Sequence, residues 1–227
     1  ADGHPDLQGE WTYDTLTPLE RPKQFAGKAF FASEQAAFEA AALGDFLARL
    51  GDENLKTSGD IGFAGRGKLL PDRRTALIID PPNGTLPPLL PTAQHRLNDY
   101  LERQRQHVAD GPEDFGISER CIWWRSPPMF PLPSDAHLRI VQTPDYVAIQ
   151  LETFGEARVV PLNGRLHLPS SIRQWKGDSR GSWEGDTLVV EATTFRSEGP
   201  TNLGDPLRAS DESLRVVERF SIVDADT

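Results

Sequence analysis

Beyond Leu138 the chain alternates apolar and polar side chains at every second position, and short turn signals cut that alternation into strand-length pieces. A period of two sends successive side chains to opposite faces of a pleated strand, so this half of the molecule must build a sheet. Residues 138–142 form one strand. Residues 146–152 form the next, with Val147, Ile149 and Leu151 on one face and Tyr146, Ala148, Gln150 and Glu152 on the other. A third, 158–162, follows across Gly155 as a hairpin, and regular pairing there would set Glu152 opposite Arg158. Trp183, the turn at Glu184-Gly185-Asp186 and the run 187–195 predict a second hairpin. The run 214–223, with Val216, Phe220 and Ile222 alternating against Arg215, Arg219 and Ser221, predicts the last strand. The expected fold class is mainly β: an antiparallel barrel or a sandwich, with two or more N-terminal helices.

The first half reads differently. Ser33 can cap a helix over 33–50, with Phe38, Ala42, Phe46 and Leu50 on one face and Gly51 as its stop. A second helix follows Pro91, with Thr92 as cap and Leu97, Tyr100 and Leu101 as its apolar stripe. Between them, 76–79 predicts a buried strand closed by Pro81-Pro82 and the Asn83-Gly84 turn. The whole of 1–227 is read as one domain, with a helical and irregular half over 1–112 covering a β-rich core over 113–227.

Charge narrows the partners. With 24 Lys and Arg against 34 Asp and Glu, the net charge is −10, which disfavours nucleic acid, because such binding needs clustered cations. No run of about 20 apolar residues exists to cross a bilayer. The opening Ala1-Asp2-Gly3 reads as a mature end left by cleavage at a small-residue site, giving an expected periplasmic or secreted location. Oligomeric state is open, a homodimer included.

Several motifs resolve into ordinary structure. Gly62 to Lys68 has the spacing of a phosphate-binding loop, but Leu69 stands where Ser or Thr would hold magnesium, and Pro71 breaks the helix that should follow. A surface loop is the better reading. The five histidines form no close set, so no metal site is expected, and no cofactor fingerprint exists. Ser179 sits at the centre of Gly177-Asp178-Ser179-Arg180-Gly181, literally a nucleophile-elbow pattern, yet no helix follows. A turn satisfied by Asp178 and Ser179 is expected instead. Cys121, the only cysteine, reads as a small buried hydrophobe.

The constellation with chemical content is the polar strand face. Tyr146, Gln150, Glu152 and Arg158, with Arg165 and His167 downstream, could line a barrel interior, where a desolvated carboxyl or imidazole moves a proton and an arginine holds an anion. The alternative is a solvent-facing strand with an ordinary Glu152–Arg158 cross-strand pair. Trp123 and Trp124, followed by Pro127 to Pro131, are candidates for a pocket mouth that stacks on flat rings, or for a packed lid.

The motifs from His167-Leu-Pro through Arg173-Gln-Trp175 and Gly177-Asp178-Ser179-Arg180-Gly181-Ser-Trp183-Glu184-Gly185-Asp186-Thr187-Leu188-Val189-Val190 resemble a large, mostly uncharacterised family of exported bacterial proteins. Pro18 to Arg21, Ser118 to Cys121, Gln142 to Tyr146 and Val217 to Phe220 extend the resemblance over most of the chain. It implies export. Family members often carry His at the position of Arg215. Gly9-Glu10-Trp11 and Gly181-Ser182-Trp183 are also similar to the first-strand pattern of lipocalin-like (calycin) barrels. Phenolic acid decarboxylases offer a mechanistic analogy, since those barrels use Tyr, Arg and Glu without metal or cofactor.

The resulting expectation is an exported barrel that binds a small apolar or aromatic, phenolic molecule and acts as a cofactor-independent lyase, isomerase or decarboxylase. In it Glu152 or His167 moves the proton, Arg158 and Arg180 hold the anion, and Tyr146 and Gln150 with Trp175, Trp123 and Trp124 orient the ring. The alternative is a carrier with the same pocket and no turnover.

Overall fold

The computed structural model describes residues 3–39, 41–42, 68–107, 110–115, 120–122, 127–129, 136–152, 155–196 and 210–223. They are mainly β, in two antiparallel sheets with few helices. Strands β1 (Gly9–Thr12), β2 (His137–Gln142), β3 (Tyr146–Leu151) and β4 (Ala157–Pro161) form one sheet in that order. Strands β5 (Asp178–Glu184), β6 (Thr187–Thr193) and β7 (Val216–Phe220) form the other. Among the described residues no strand pairing joins the two into a closed barrel.

The chain divides into two compact units, one of Ala1–Glu10, Pro88–Phe130 and Arg139–Thr227, the other of Trp11–Pro87 and Pro131–Leu138. In the second, Phe25, Phe31 and Phe38 meet largely edge to face around Leu69, a geometry that suits the ring quadrupole. Buried Thr75 fastens the loops around them, accepting from Arg21 Nε at 3.0 Å and donating to the Lys28 carbonyl at 2.6 Å. The strand expected at 76–79 does not form. Arg74 makes an isolated bridge to Phe30, Leu77 N and Ile78 N donate to the Pro18 and Leu19 carbonyls, and Ile79 is 70% exposed, so among the described residues this apolar run makes scattered backbone bonds rather than a ladder. Of the helix expected over 33–50, residues 35–39 and 41–42 are helical, and 40 and 43–50 lie outside the described residues.

In the first unit, helix α1 spans Pro91–Gln106, capped at Leu90, and so starts two residues earlier than the Thr92 cap implied. Pro91 takes the first helical position, where its fixed φ is preorganised and its missing N–H is no loss. Ala93, Leu97 and Leu101 make its apolar stripe.

The β core of this unit follows the period of two. Val147, Ile149 and Leu151 of β3, Val160 of β4, and Leu188, Val190 and Ala192 of β6 are buried, and each large aliphatic there contributes about 1.5–3 kcal/mol. Phe195 packs with Ala192 and Val216. Strands β4 and β5 meet at Gly181, where a Cβ would lie 2.6 Å from Leu162 and 2.9 Å from Val160. That contact explains the glycine: a larger residue would hold the strands apart. The expected turn at Gly177 to Gly181 is therefore strand from Asp178 onward, with Asp178, Arg180, Ser182 and Glu184 on one face and Ser179, Gly181 and Trp183 on the other.

Candidate functional site

Strand β5 pairs with β6 so that Arg180 faces Glu191 and Ser182 faces Val189, and β7 adds Val217 opposite Glu191 and Arg219 opposite Val189. These side chains share one face of the three-stranded sheet. Arg215, just before β7, completes it. Leaving β4, the chain turns at Asn163-Gly164, where Gly164 has φ +69 and Asn163 Oδ1 accepts from Arg165 N. The segment 165–168 then runs beside β5, fastened where Arg180 Nε donates to the Leu166 carbonyl at 3.2 Å and Leu168 N donates to Asp178 Oδ2 at 3.1 Å. Between segment and sheet lies an open cleft of about 380 Å³. Four arginines line it (Arg165, Arg180, Arg215 and Arg219), with His167, two glutamates and the apolar side chains of Leu166, Val189 and Val217.

Its electrostatic centre is Asp178, which is buried. Oδ1 accepts from Arg180 Nη1 at 2.7 Å, and Oδ2 stands 3.0 Å from Nδ1 of His167. An ionised carboxylate can only accept, so Nδ1 carries the proton and Nε2 is the ring's basic nitrogen. Nε2 lies 3.9 Å from Glu191 Oε1, on the cleft side. Glu191 is gripped by Arg215 through two parallel bonds of 2.8 Å each. The Arg215 guanidinium, against a smaller opposing effect of burial and with help from His167, holds the Glu191 carboxyl below its ordinary range. Arg219 donates to Glu184 at 3.0 Å. Arg165 has no side-chain hydrogen bond or ion pair among the described residues. An imidazole oriented by a carboxylate and set among guanidinium groups can transfer a proton beside a bound anion.

Of the residues singled out in the sequence, Arg165, His167 and Arg180 come together here. Tyr146, Gln150 and Glu152 do not: all three are exposed on the outer side of the β3–β4 hairpin, because the aliphatic face of β3 takes the interior. Arg158 pairs with Ile149 rather than Glu152, so it lies on the opposite, inward face. There it is buried and bonded to Glu218 of β7. Trp175 is half-buried against the Ala192, Phe195 and Val216 cluster, with the Arg196 guanidinium 4.6 Å from its ring centroid. Trp123 and Trp124 lie outside the described residues, as do positions 62–67 of the glycine-rich loop. Ser179 is buried on the inward face of β5, away from the cleft. Cys121 is exposed, contrary to its expected burial, with φ 53. Among the described residues no cluster of three or more His, Cys, Asp or Glu side chains could hold a metal ion, and no helix is long and apolar enough to cross a membrane.

No protein-family model, curated protein or solved structure matches the chain. The site therefore rests on its own geometry. Sequence reading missed Asp178, Glu191, Arg215 and Arg219 as site residues. The signal available for three of them was strand alternation, which puts Asp178, Glu191 and Arg219 on the face of Arg180 once β5 is recognised as a strand.

Proposed function

We propose that this chain binds small organic anions in the cleft between segment 165–168 and the β5-β6-β7 face, and that His167 moves a proton on the bound molecule. The observation that carries the reading is the Asp178–His167 pair at 3.0 Å, set in a cleft with four arginines. Asp178 fixes the ring and its tautomer, Nε2 serves as acid or base, and the arginines stabilise a resident or developing negative charge. A cofactor-independent lyase, isomerase or decarboxylase acting on carboxylated phenolic compounds suits that set. Leu166, Val189 and Val217 offer apolar contact to a ring.

For the architecture we favour a sandwich over a closed lipocalin-like barrel. Side chains of β4 meet β5 at Gly181 and reach β7 at Glu218, contacts that suit two stacked sheets. Membership of the exported bacterial family, and a periplasmic or secreted location, remain parts of the same proposal.

The openness of the cleft favours a second reading. A solvent-facing site desolvates its acid and base poorly, which suits a carrier better than a catalyst. One experiment separates them. Carboxylated phenols, 4-hydroxycinnamate and 4-hydroxybenzoate among them, are titrated calorimetrically and then incubated with the protein and followed by chromatography. Catalysis predicts turnover that His167→Gln lowers at least a hundredfold while binding survives; binding without turnover supports the carrier. If none binds, or if Arg165→Gln leaves binding unaltered, the anion cleft is wrong.

A further inference from the structure

Two of the cleft's arginines stand at opposite corners of the sheet face. Arg180 lies on β5 in the row Arg180, Glu191, Val217, and Arg219 lies on β7 in the neighbouring row Ser182, Val189, Arg219. Two strand spacings across and a two-residue offset along the strands put their backbone positions about 12 Å apart. The floor between them is not uniformly charged. Val189, 9% exposed, and Val217 supply an apolar strip, and Glu191 is already saturated by its bidentate contact with Arg215. Each corner also has cationic capacity to spare. Beside Arg180 stands Arg165, which has no ion-pair partner among the described residues. At the other corner Arg219 holds Glu184 through one bond between two side chains that are each more than half exposed. Such an exposed pair holds weakly and yields readily to a better-placed carboxylate.

Resting on the anion-cleft reading above, we infer that the occupant is a dianion: a short, flat apolar body with a carboxylate at each end, one held by Arg165 and Arg180 and the other by Arg219. A single ring with carboxylates at opposite positions spans the floor and covers Val189 and Val217. A monocarboxylate leaves one arginine corner unused, and a flexible aliphatic dicarboxylate loses more conformational freedom on binding.

Calorimetric titration of the full chain with benzene-1,4-dicarboxylate, benzoate and succinate tests the inference. The 1,4-dicarboxylate should bind at least tenfold more tightly than either of the others. Arg219→Gln, an exposed substitution, should reduce its affinity to the level that benzoate shows on the parent protein. Glu184→Gln, which releases Arg219, should strengthen it. Equal affinity for benzoate and the dicarboxylate, or a preference that survives Arg219→Gln, overturns the dianion while leaving the anion cleft standing. Failure of all three compounds to bind overturns both.

Discussion

Arg158 of β4 donates Nη1 to Oε2 of Glu218 on β7 at 2.5 Å, and both side chains are about nine-tenths buried. Their remaining capacity is unmet: Nε and Nη2 of Arg158 and Oε1 of Glu218 make no hydrogen bond among the described residues. Desolvating two charges costs several kcal/mol each, and one short contact offsets only part of it. Arg158→Met should therefore destabilise the fold by about 3–5 kcal/mol, by stranding the Glu218 carboxylate. Combining it with Glu218→Leu should recover most of that loss. Urea denaturation of the two single variants and the double variant measures the coupling. A harmless Arg158→Met would show that Glu218 finds water once its partner is gone.

His167 and Asp178 make a spectroscopic prediction. With Asp178 accepting from Nδ1, the neutral imidazole should be the Nδ1–H tautomer, visible as distinct ring-nitrogen shifts in long-range ¹H–¹⁵N spectra. Asp178→Asn should shift the population towards Nε2–H and reduce whatever turnover the cleft supports. An unchanged tautomer in the variant would mean that Asp178 does not orient the ring.

Glu191 sets a pH dependence. Because Arg215 lowers its folded-state pKa below the ordinary 4.5, the native state takes up that proton later than the unfolded chain does as pH falls. The stabilising contribution is thus fully present above about 4.5 and is lost as acid titrates the carboxylate through its lower folded value. Arg215→Gln should move the Glu191 titration back towards 4.5 and remove this increment. Carboxylate ¹³C shifts across an acid titration would detect the change. A Glu191 titration that ignores the substitution would break the argument.

Two glycines carry different burdens. At Gly181 an added methyl meets only side chains, Leu162 and Val160, so Gly181→Ala should cost about 1–3 kcal/mol by overpacking. At Gly177 the backbone has φ +67, and a methyl would lie 2.8 Å from the Thr193 carbonyl oxygen as well as 2.7 Å from Phe195. Backbone yields less than a leucine tip. Gly177→Ala should be the more damaging of the two, and thermal denaturation would rank them.

The β hairpins were legible because alternation and turn residues are local signals. Strands β2, β3, β4 and β6 fall within a residue or two of where period-two reading put them, and β7 is shorter than expected at both ends, Val216–Phe220 within 214–223. Strand β5 was not, since Gly177, Asp178, Ser179 and Gly181 have turn chemistry, and only the approach of β4 explains why a glycine sits inside a strand. The polar face of β3 lies away from the cleft for a related reason. Sequence shows that Glu152 and Arg158 have even numbers but not how the intervening loop pairs. The Leu151 N to Glu156 O bond sets a register that opposes Arg158 to Ile149, and one residue of slip reverses the face. His167 was visible as a candidate, yet its partner Asp178 is brought to it by the path of 161–168 over the sheet, a tertiary fact with no local signature.

The bonds from Glu184 to Arg219 and from Glu191 to Arg215 mean that the cleft brings its own counterions, tethered to its floor. At the Arg219 corner association becomes a swap, one carboxylate displacing another, while Arg165, without an ion-pair partner among the described residues, supplies unspent charge at the other. Inorganic anions such as chloride, which cannot match a planar two-oxygen grip, would gain little from the trade, so discrimination follows from shape even where the electrostatic pull is modest.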